Sequence, residues 1–333
     1  MALPTLLAMV VAGGATAAGN AATPAAVSPH ASSYTLLTEP GAGFSSVYSF
    51  IESATSSIDM TMYELTDTTA EQDLVAMAAK GVTVRVILDT NLEESHNTDA
   101  YNYLSENGVD VVWANTTYAA THQKTITVDD AESLVLTANL TSQYYASSRD
   151  FGVFDTNSYD VKAIEKVFNA DFTDASITPT DGDNLVWSPT DSQSQLLALI
   201  NNATTSLDIE NEEMGYATIV TALENAAARG VTVHVTMTND DNDYATEFDE
   251  LTDAGVAVST YPYSSTGFYI HAKVIIADYG TSAAKVFIGS ENFSTASLNK
   301  NRELGLILTD ATILSSTETT LTSDYNGGTS WTS

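Results

Sequence analysis

The stretch His122-Gln123-Lys124-Thr125-Ile126-Thr127-Val128-Asp129 returns as His271-Ala272-Lys273-Val274-Ile275-Ile276-Ala277-Asp278. A His-x-Lys-x-x-x-x-Asp pattern is thus written twice in one chain. The offset is 149 residues at each fixed position: 122 to 271, 124 to 273 and 129 to 278. The chain holds only 5 His and 11 Lys plus Arg, so two of the five His in one repeated register are not a chance expectation. The register predicts an internal duplication.

Working outward, the same offset carries Ile51-Glu52-Ser53-Ala54-Thr55-Ser56-Ser57-Ile58-Asp59 onto Ile200-Asn201-Asn202-Ala203-Thr204-Thr205-Ser206-Leu207-Asp208 without a gap. It also carries Glu64 onto Glu213, and Lys80-Gly81-Val82-Thr83-Val84 onto Arg229-Gly230-Val231-Thr232-Val233. Apolar periodicity predicts helices over 45–54 and 192–203, then 70–79 and 217–228, then 98–107 and 244–254. Runs rich in β-branched residues predict strands over 57–62, 82–88, 109–113, 122–128 and 134–138. Their counterparts are 206–210, 231–237, 256–260, 271–277 and 285–289. Strands alternating with helices give an α/β class, with two similar α/β/α sandwich halves related by a pseudo-twofold. The expected division is a leader over 1–32, a first half over 33–180 and a second over 184–333. The joint falls in the Thr-, Pro-, Asp- and Gly-containing run Thr178–Asp183.

Composition restricts the functions. Hydrophobic residues make up 44% of the 333, enough for sizeable cores, whereas 43 acidic against 11 basic residues leave a formal charge of −32. Such a field repels polyanions and anionic membrane surfaces, so nucleic acid is a disfavoured partner. The chain has no Cys, which excludes disulfides, thiolate catalysis and Cys-based zinc sites. Leu6 to Gly14 is apolar, and small residues follow, including Ala15-Thr16-Ala17, which resembles a signal-peptidase site. No Lys or Arg stands near Met1, and the apolar run is too short to span a bilayer. An exported protein, secreted or periplasmic, is expected. No later segment reads as transmembrane.

Residues two apart on a strand share a face, so His122 and Lys124 can reach one ligand, as can His271 and Lys273. Each following strand ends in a second polar pair at the same spacing: Thr137 and Asn139, then Ser290 and Asn292. Four extra residues around Tyr279–Ser282 move the later offset to 153, which pairs Arg149 with Arg302 and Asp150 with Glu303. Lys ammonium and Asn amide groups suit phosphodiester oxygens and the charge that develops on them. A neutral imidazole can attack phosphorus while a protonated one donates to the leaving alcohol. A carboxylate on the far ring nitrogen would hold the tautomer, and Asp150 and Glu303 are the candidates. Arg149 and Arg302 are expected to pair with carboxylates rather than with phosphate. His30, His96 and His234 stand in no pattern. No calcium-loop spacing occurs, and neither a metal nor a cofactor is expected.

These residues resemble the phospholipase D superfamily, whose members carry two His-x-Lys-x-x-x-x-Asp motifs, each followed by Gly-Ser-x-Asn. The second half matches throughout, with His271, Lys273, Asp278 and Gly289-Ser290-Glu291-Asn292. The first keeps His122, Lys124, Asp129 and Asn139 but has Leu136-Thr137 where the family has Gly-Ser. The resemblance runs over about 33–321. It implies two steps through a phosphohistidine, with His122 as nucleophile and His271 as acid and later base. Lys124, Lys273, Asn139 and Asn292 would clamp phosphate, with Thr137 and Ser290 beside them. Asp150 would orient His122, and Glu303 would orient His271. Asp129 and Asp278 would support the fold around each motif.

Three readings of the substrate follow. A phospholipase D that hydrolyses a headgroup ester, with transfer to an alcohol as a variant, agrees with export and an acidic surface. Trp113, Tyr118, Tyr261, Tyr263, Phe268 and Tyr269 precede the motifs and could wall a pocket. The alternatives are a metal-independent nuclease and an inactive phosphate-ligand-binding protein. A cardiolipin-synthase role fits less well, since such enzymes normally carry membrane spans. Interfacial contact with a membrane is compatible with the first reading, and a monomer suffices because one chain supplies both half-sites.

Overall fold

The computed structural model describes residues 33–265 and 267–332. The leader and its Ala15-Thr16-Ala17 run lie outside them. The first half runs β1 (Tyr34–Glu39), α1 (Ser45–Glu52), β2 (Ser57–Met62), α2 (Thr68–Ala79), β3 (Thr83–Leu88), α3 (Glu94–Glu106), β4 (Asp110–Trp113), β5 (Thr125–Val128), β6 (Glu132–Leu136), β7 (Ser148–Asp155) and α4 (Ser158–Phe172). The second begins β8 (Leu185–Ser188), α5 (Ser192–Asn202), β9 (Ser206–Glu210), α6 (Ala217–Ala228), β10 (Thr232–Asn239), α7 (Ala245–Asp253) and β11 (Ala257–Pro262). It continues β12 (Tyr269–Ile270), β13 (Val274–Ala277), β14 (Lys285–Gly289), α8 (Thr295–Asn299), β15 (Glu303–Leu308), α9 (Ala311–Gly327) and β16 (Thr329–Ser330).

The strand orders show the duplication. The first sheet runs β1-β7-β6-β5-β2-β3-β4 and the second β8-β15-β14-β13-β9-β10-β11, with β16 added at the β11 edge. In each, three parallel strands adjoin an antiparallel group. Local chemistry sets the ends. Asp67 caps α2 by accepting from the Thr69 and Ala70 N–H groups, which starts the helix two residues before the apolar pattern does. Gly81 and Gly230, at φ 93° and 88°, turn the chain out of α2 and α6 in a conformation costly for any side chain.

Two cores lie between a sheet face and α1–α3 or α5–α7. A third is shared: Val135, Phe151 and Val153 meet Trp187, Val274, Ile276 and Leu304, with α4 and α9 contributing Val167 and Leu321. This apolar contact makes the halves one body. Strand addition reinforces it. Tyr269 and Ile270 of β12 pair with Ser148 and Arg149 of β7, and Thr121 bridges to Arg302 in the equivalent place. Each half therefore lends the residues just before its motif to the other half.

His96 and His234 do have partners. His234 Nδ1 lies 2.8 Å from Asp208, the counterpart of the Arg85–Asp59 pair one repeat earlier, and His96 pairs with Glu93. Arg149 and Arg302 each pair with a carboxylate of the opposite half, Asp324 and Asp171 respectively.

Candidate active site

The motif histidines sit just outside regular strand. β5 starts at Thr125 and β13 at Val274, so His122–Lys124 and His271–Lys273 are extended lead-ins rather than strand residues. The backbone N–H groups of His122 and Gln123 donate to the Arg302 carbonyl at 2.9 Å, and His271 N–H donates to the Arg149 carbonyl at 3.2 Å. Those bonds seat each histidine beside the residue that follows the opposite arginine. His122 Nδ1 lies 2.8 Å from Glu303 Oε2, and His271 Nδ1 lies 2.8 Å from Asp150 Oδ1. The pairing is therefore crossed: Glu303 orients His122 and Asp150 orients His271, the reverse of the within-half assignment.

An ionised carboxylate accepts only, so Nδ1 of His122 carries the proton and Nε2 keeps its lone pair. Burial opposes ionisation of Glu303, but His122 and Lys124 outweigh it and hold its pKa below the usual range. Ser297 Oγ and Asn301 Nδ2 donate to its other oxygen, at 2.6 and 2.9 Å. Burial also lowers the pKa of His122, which favours neutral imidazole.

Both motif lysines are fully buried. Burial and the like charge of Lys273 push Lys124 down to about 7. Lys124 Nζ donates to the His122 carbonyl at 2.6 Å and faces the Tyr63 ring at 5.0 Å. Lys273 Nζ donates to Glu212 at 3.0 Å. Asn292 Nδ2 donates to Glu212 and Glu213 at 3.2 and 3.1 Å, and Asn139 lines the cleft beside His271.

Thr137 and Ser290, expected beside the phosphate, make contacts to the strands that carry the acids. β6 ends at Leu136 and β14 at Gly289, so strand alternation does not carry these hydroxyls to the face of Asn139 and Asn292. Both are fully buried. Thr137 Oγ1 donates to Asp150 at 2.6 Å and accepts from Phe151 N–H, while Ser290 Oγ accepts from Leu304 N–H. They brace the strand that carries each acid.

Leu136 does not crowd the site. It faces Gly152 across the β6–β7 pair, and a Cβ at Gly152 would lie 2.7 Å from Leu136 Cδ2. In the second half Gly289 faces Gly305, and Phe287 and Glu291 fill the space. Asp129 and Asp278 lie away from the cleft. Asp129 accepts from the N–H groups of Thr55, Ser56 and Ser57, and Asp278 from those of Thr204, Thr205 and Ser206.

The cleft beside His271 holds about 320 Å³. Tyr144, Tyr145, Tyr263 and Tyr269 line it with the carboxylates Glu64, Asp150, Glu212 and Asp240. Of the six aromatic residues before the motifs, only Tyr263 and Tyr269 do so. Trp113 stacks on Tyr101, Tyr118 lies on Arg302, and Tyr261 meets Phe268. Glu212 and Tyr63 escaped the sequence reading. Their signal is positional, since the 149-residue offset superposes Tyr63 on Glu212. Among the described residues two groups could receive a cation, Glu64–Glu93–His96 and Asp59–Asp130–Glu165, although Arg85 already pairs with Asp59.

The family described as cardiolipin synthase, PLD-like domain, matches residues 47–172 and 196–325. No curated protein sequence matches the chain. Among solved structures, polyphosphate kinase from Porphyromonas gingivalis is similar at a TM-score of 0.67 and 15% identity, over 86% of this chain. This chain spans about half of that one, 49%. Phosphatidylserine synthase from Haemophilus influenzae is similar at a TM-score of 0.67 and 11% identity, over 88% of this chain and 86% of that one. The phospholipase D family member Nuc from Salmonella typhimurium aligns at 24% identity and a TM-score of 0.40, over 45% of this chain and 97% of that one. The first two likenesses show a shared fold.

Proposed function

The chain belongs to the phospholipase D superfamily, with PLD-like domains in both halves, and from that premise we propose that it hydrolyses the headgroup ester of a phospholipid through a phosphohistidine. The observation that carries this reading is the crossed pair of His–carboxylate contacts, His122–Glu303 and His271–Asp150, with Lys124, Lys273, Asn139 and Asn292 beside them.

In the first step His122 Nε2 attacks phosphorus and the P–O bond to the headgroup breaks. His271, as imidazolium, gives its proton to the departing oxygen. Glu303 stabilises the charge that His122 acquires, and the lysines and asparagines offset charge on the phosphoryl oxygens. In the second step His271 takes a proton from water, which attacks phosphorus and frees His122. An alcohol in place of water gives headgroup transfer.

The cleft favours lipid over nucleic acid. Four tyrosines and four carboxylates line it, and a chain of formal charge −32 repels a polyanion along its length. Among the described residues no helix is long and apolar enough to cross a membrane. Substrate would be met at an interface, as suits the expected export.

The test is purified protein in EDTA with zwitterionic phospholipid, anionic phospholipid or single-stranded DNA, beside His122→Ala and His271→Ala. Headgroup release that both substitutions abolish is expected. DNA cleavage without lipid turnover would transfer the reading to a nuclease, and no turnover at all would leave a phosphate-binding protein.

A further inference from the structure

The second half-site already holds an anion, and it is part of the chain. Glu212 lies between β9 and α6. Its Oε2 accepts from Lys273 Nζ at 3.0 Å and from Asn292 Nδ2 at 3.2 Å, and lies 3.6 Å from His271 Nε2. Its Oε1 accepts from Tyr269 O–H at 3.1 Å. Lys273, Asn292 and His271 Nε2 are the groups that a phosphoryl oxygen would meet. A carboxylate oxygen and a phosphate oxygen make the same charge-assisted bonds to ammonium and amide donors.

Among the described residues the first half-site has no such group. Its equivalent residue is Tyr63, whose ring stands over Lys124 and edge-on to His122. The ammonium of Lys124 is left with the His122 carbonyl as its hydrogen-bond acceptor. Glu212 is firmly ionised: burial opposes its charge, but Lys273 and His271 outweigh that and hold its carboxyl well below the usual range. Its side chain is also 23% exposed at the cleft wall, so a path out to solvent exists.

We propose that Glu212 is a specificity-determining residue, a resident carboxylate that competes with every phosphate ligand for Lys273 and Asn292. With Glu212 accepting from Lys273 and Asn292, an incoming phosphoryl oxygen must take the place of a carboxylate oxygen at both donors. A monoanionic diester, flanked by two ester groups that can contact the cleft, displaces Glu212 with their help. At pH 7.5 inorganic phosphate and phosphate monoesters are mostly dianionic, carry at most one such flanking group and meet stronger repulsion from Glu212, so they are held off. The inference rests on the reading of Lys273, Asn292 and His271 as phosphate-binding groups.

The experiment is calorimetric titration of the full chain at pH 7.5 with inorganic phosphate and with phenyl phosphate, for wild type, Glu212→Gln and Glu212→Tyr. The tyrosine variant copies the first half-site and keeps the test open if glutamine misfolds; circular dichroism and thermal melting check both. Binding of both ligands at least tenfold tighter in a folded variant is expected. Unchanged or weaker binding in folded variants overturns the inference, even if wild type cleaves diesters. Tighter binding with no diester turnover by wild type upholds it and removes the phospholipase reading instead.

Discussion

His122 and Glu303 meet at 2.8 Å although 181 residues separate them, and each belongs to a different half of the duplication. His271 and Asp150 repeat the contact from the other side, as do Arg149 with Asp324 and Arg302 with Asp171. A pseudo-twofold contact generates such reciprocal pairs: if a residue of one half touches a residue of the other, their counterparts touch as well. Each histidine thus depends on the fold of the half that does not contain it.

The crossing has a kinetic consequence. Glu303→Gln removes the charge that stabilises His122 as it becomes cationic, and turnover is expected to fall by about 10²- to 10⁴-fold. Groups that act as one unit are non-additive. His122→Ala combined with Glu303→Gln should therefore be no slower than His122→Ala alone. The measurement is a double-mutant cycle on headgroup release. If Asp150→Asn proves redundant with His122→Ala and Glu303→Gln does not, the crossed assignment is wrong.

The duplication, the α/β class and both motifs were legible because the 149-residue register preserves them residue by residue. The pairing of acids with histidines was not, because a repeat gives the same residues in the same order whether contacts form within halves or between them. The β12–β7 addition, the Thr121–Arg302 bridge and the backbone bonds beside them decide it, and all are long-range contacts. The contacts of Thr137 and Ser290 were not legible because the strands end at Leu136 and Gly289, and alternation ends with them. Glu212 was missed because it breaks the repeat, replacing Tyr63.

Lys124 destabilises the fold that it serves. A lysine lowered from 10.5 to about 7 by burial and by Lys273 is charged in both states below pH 7, where the penalty is full. Between about 7 and 10.5 the unfolded chain binds the extra proton, so this group's contribution makes stability rise with pH across that window. Lys124→Met is therefore expected to abolish turnover yet raise unfolding free energy by roughly 1–3 kcal/mol at pH 6, and by less at pH 9. Urea titrations at both pH values check it, and an equal gain at the two would refute the burial argument.

Leu136 packs where the second half has a glycine. Its side chain fills the space opposite Gly152 in the first core, so Leu136→Ala should cost about 2–4 kcal/mol through the cavity it leaves. Gly152→Ala meets Leu136 Cδ2 at 2.7 Å and is expected to destabilise by about 1–3 kcal/mol. If the clash is the cause, the double substitution will lose less than the sum of the singles. Additive losses in chemical denaturation would show that the two side chains do not compete for one space.

Asp129 and Asp278 answer two demands at once. Both adopt the left-handed region, at φ 56° and 54°, which short polar side chains tolerate better than most. From there each carboxylate accepts from three successive N–H groups at the start of β2 or β9. Burial opposes their charge, but these N–H groups outweigh it and lower both pKa values. The stabilisation is therefore complete above the unfolded aspartate pKa, near 4, and fades as pH falls through the lower folded values. Asn keeps the backbone tolerance and loses the charge. Asp129→Asn and Asp278→Asn should each lower unfolding free energy by about 1–3 kcal/mol at pH 7, with kcat within a few-fold of wild type. Urea unfolding at pH 7 and pH 3, run beside turnover assays, tests both parts. A large loss of kcat with stability intact would move these aspartates into the site.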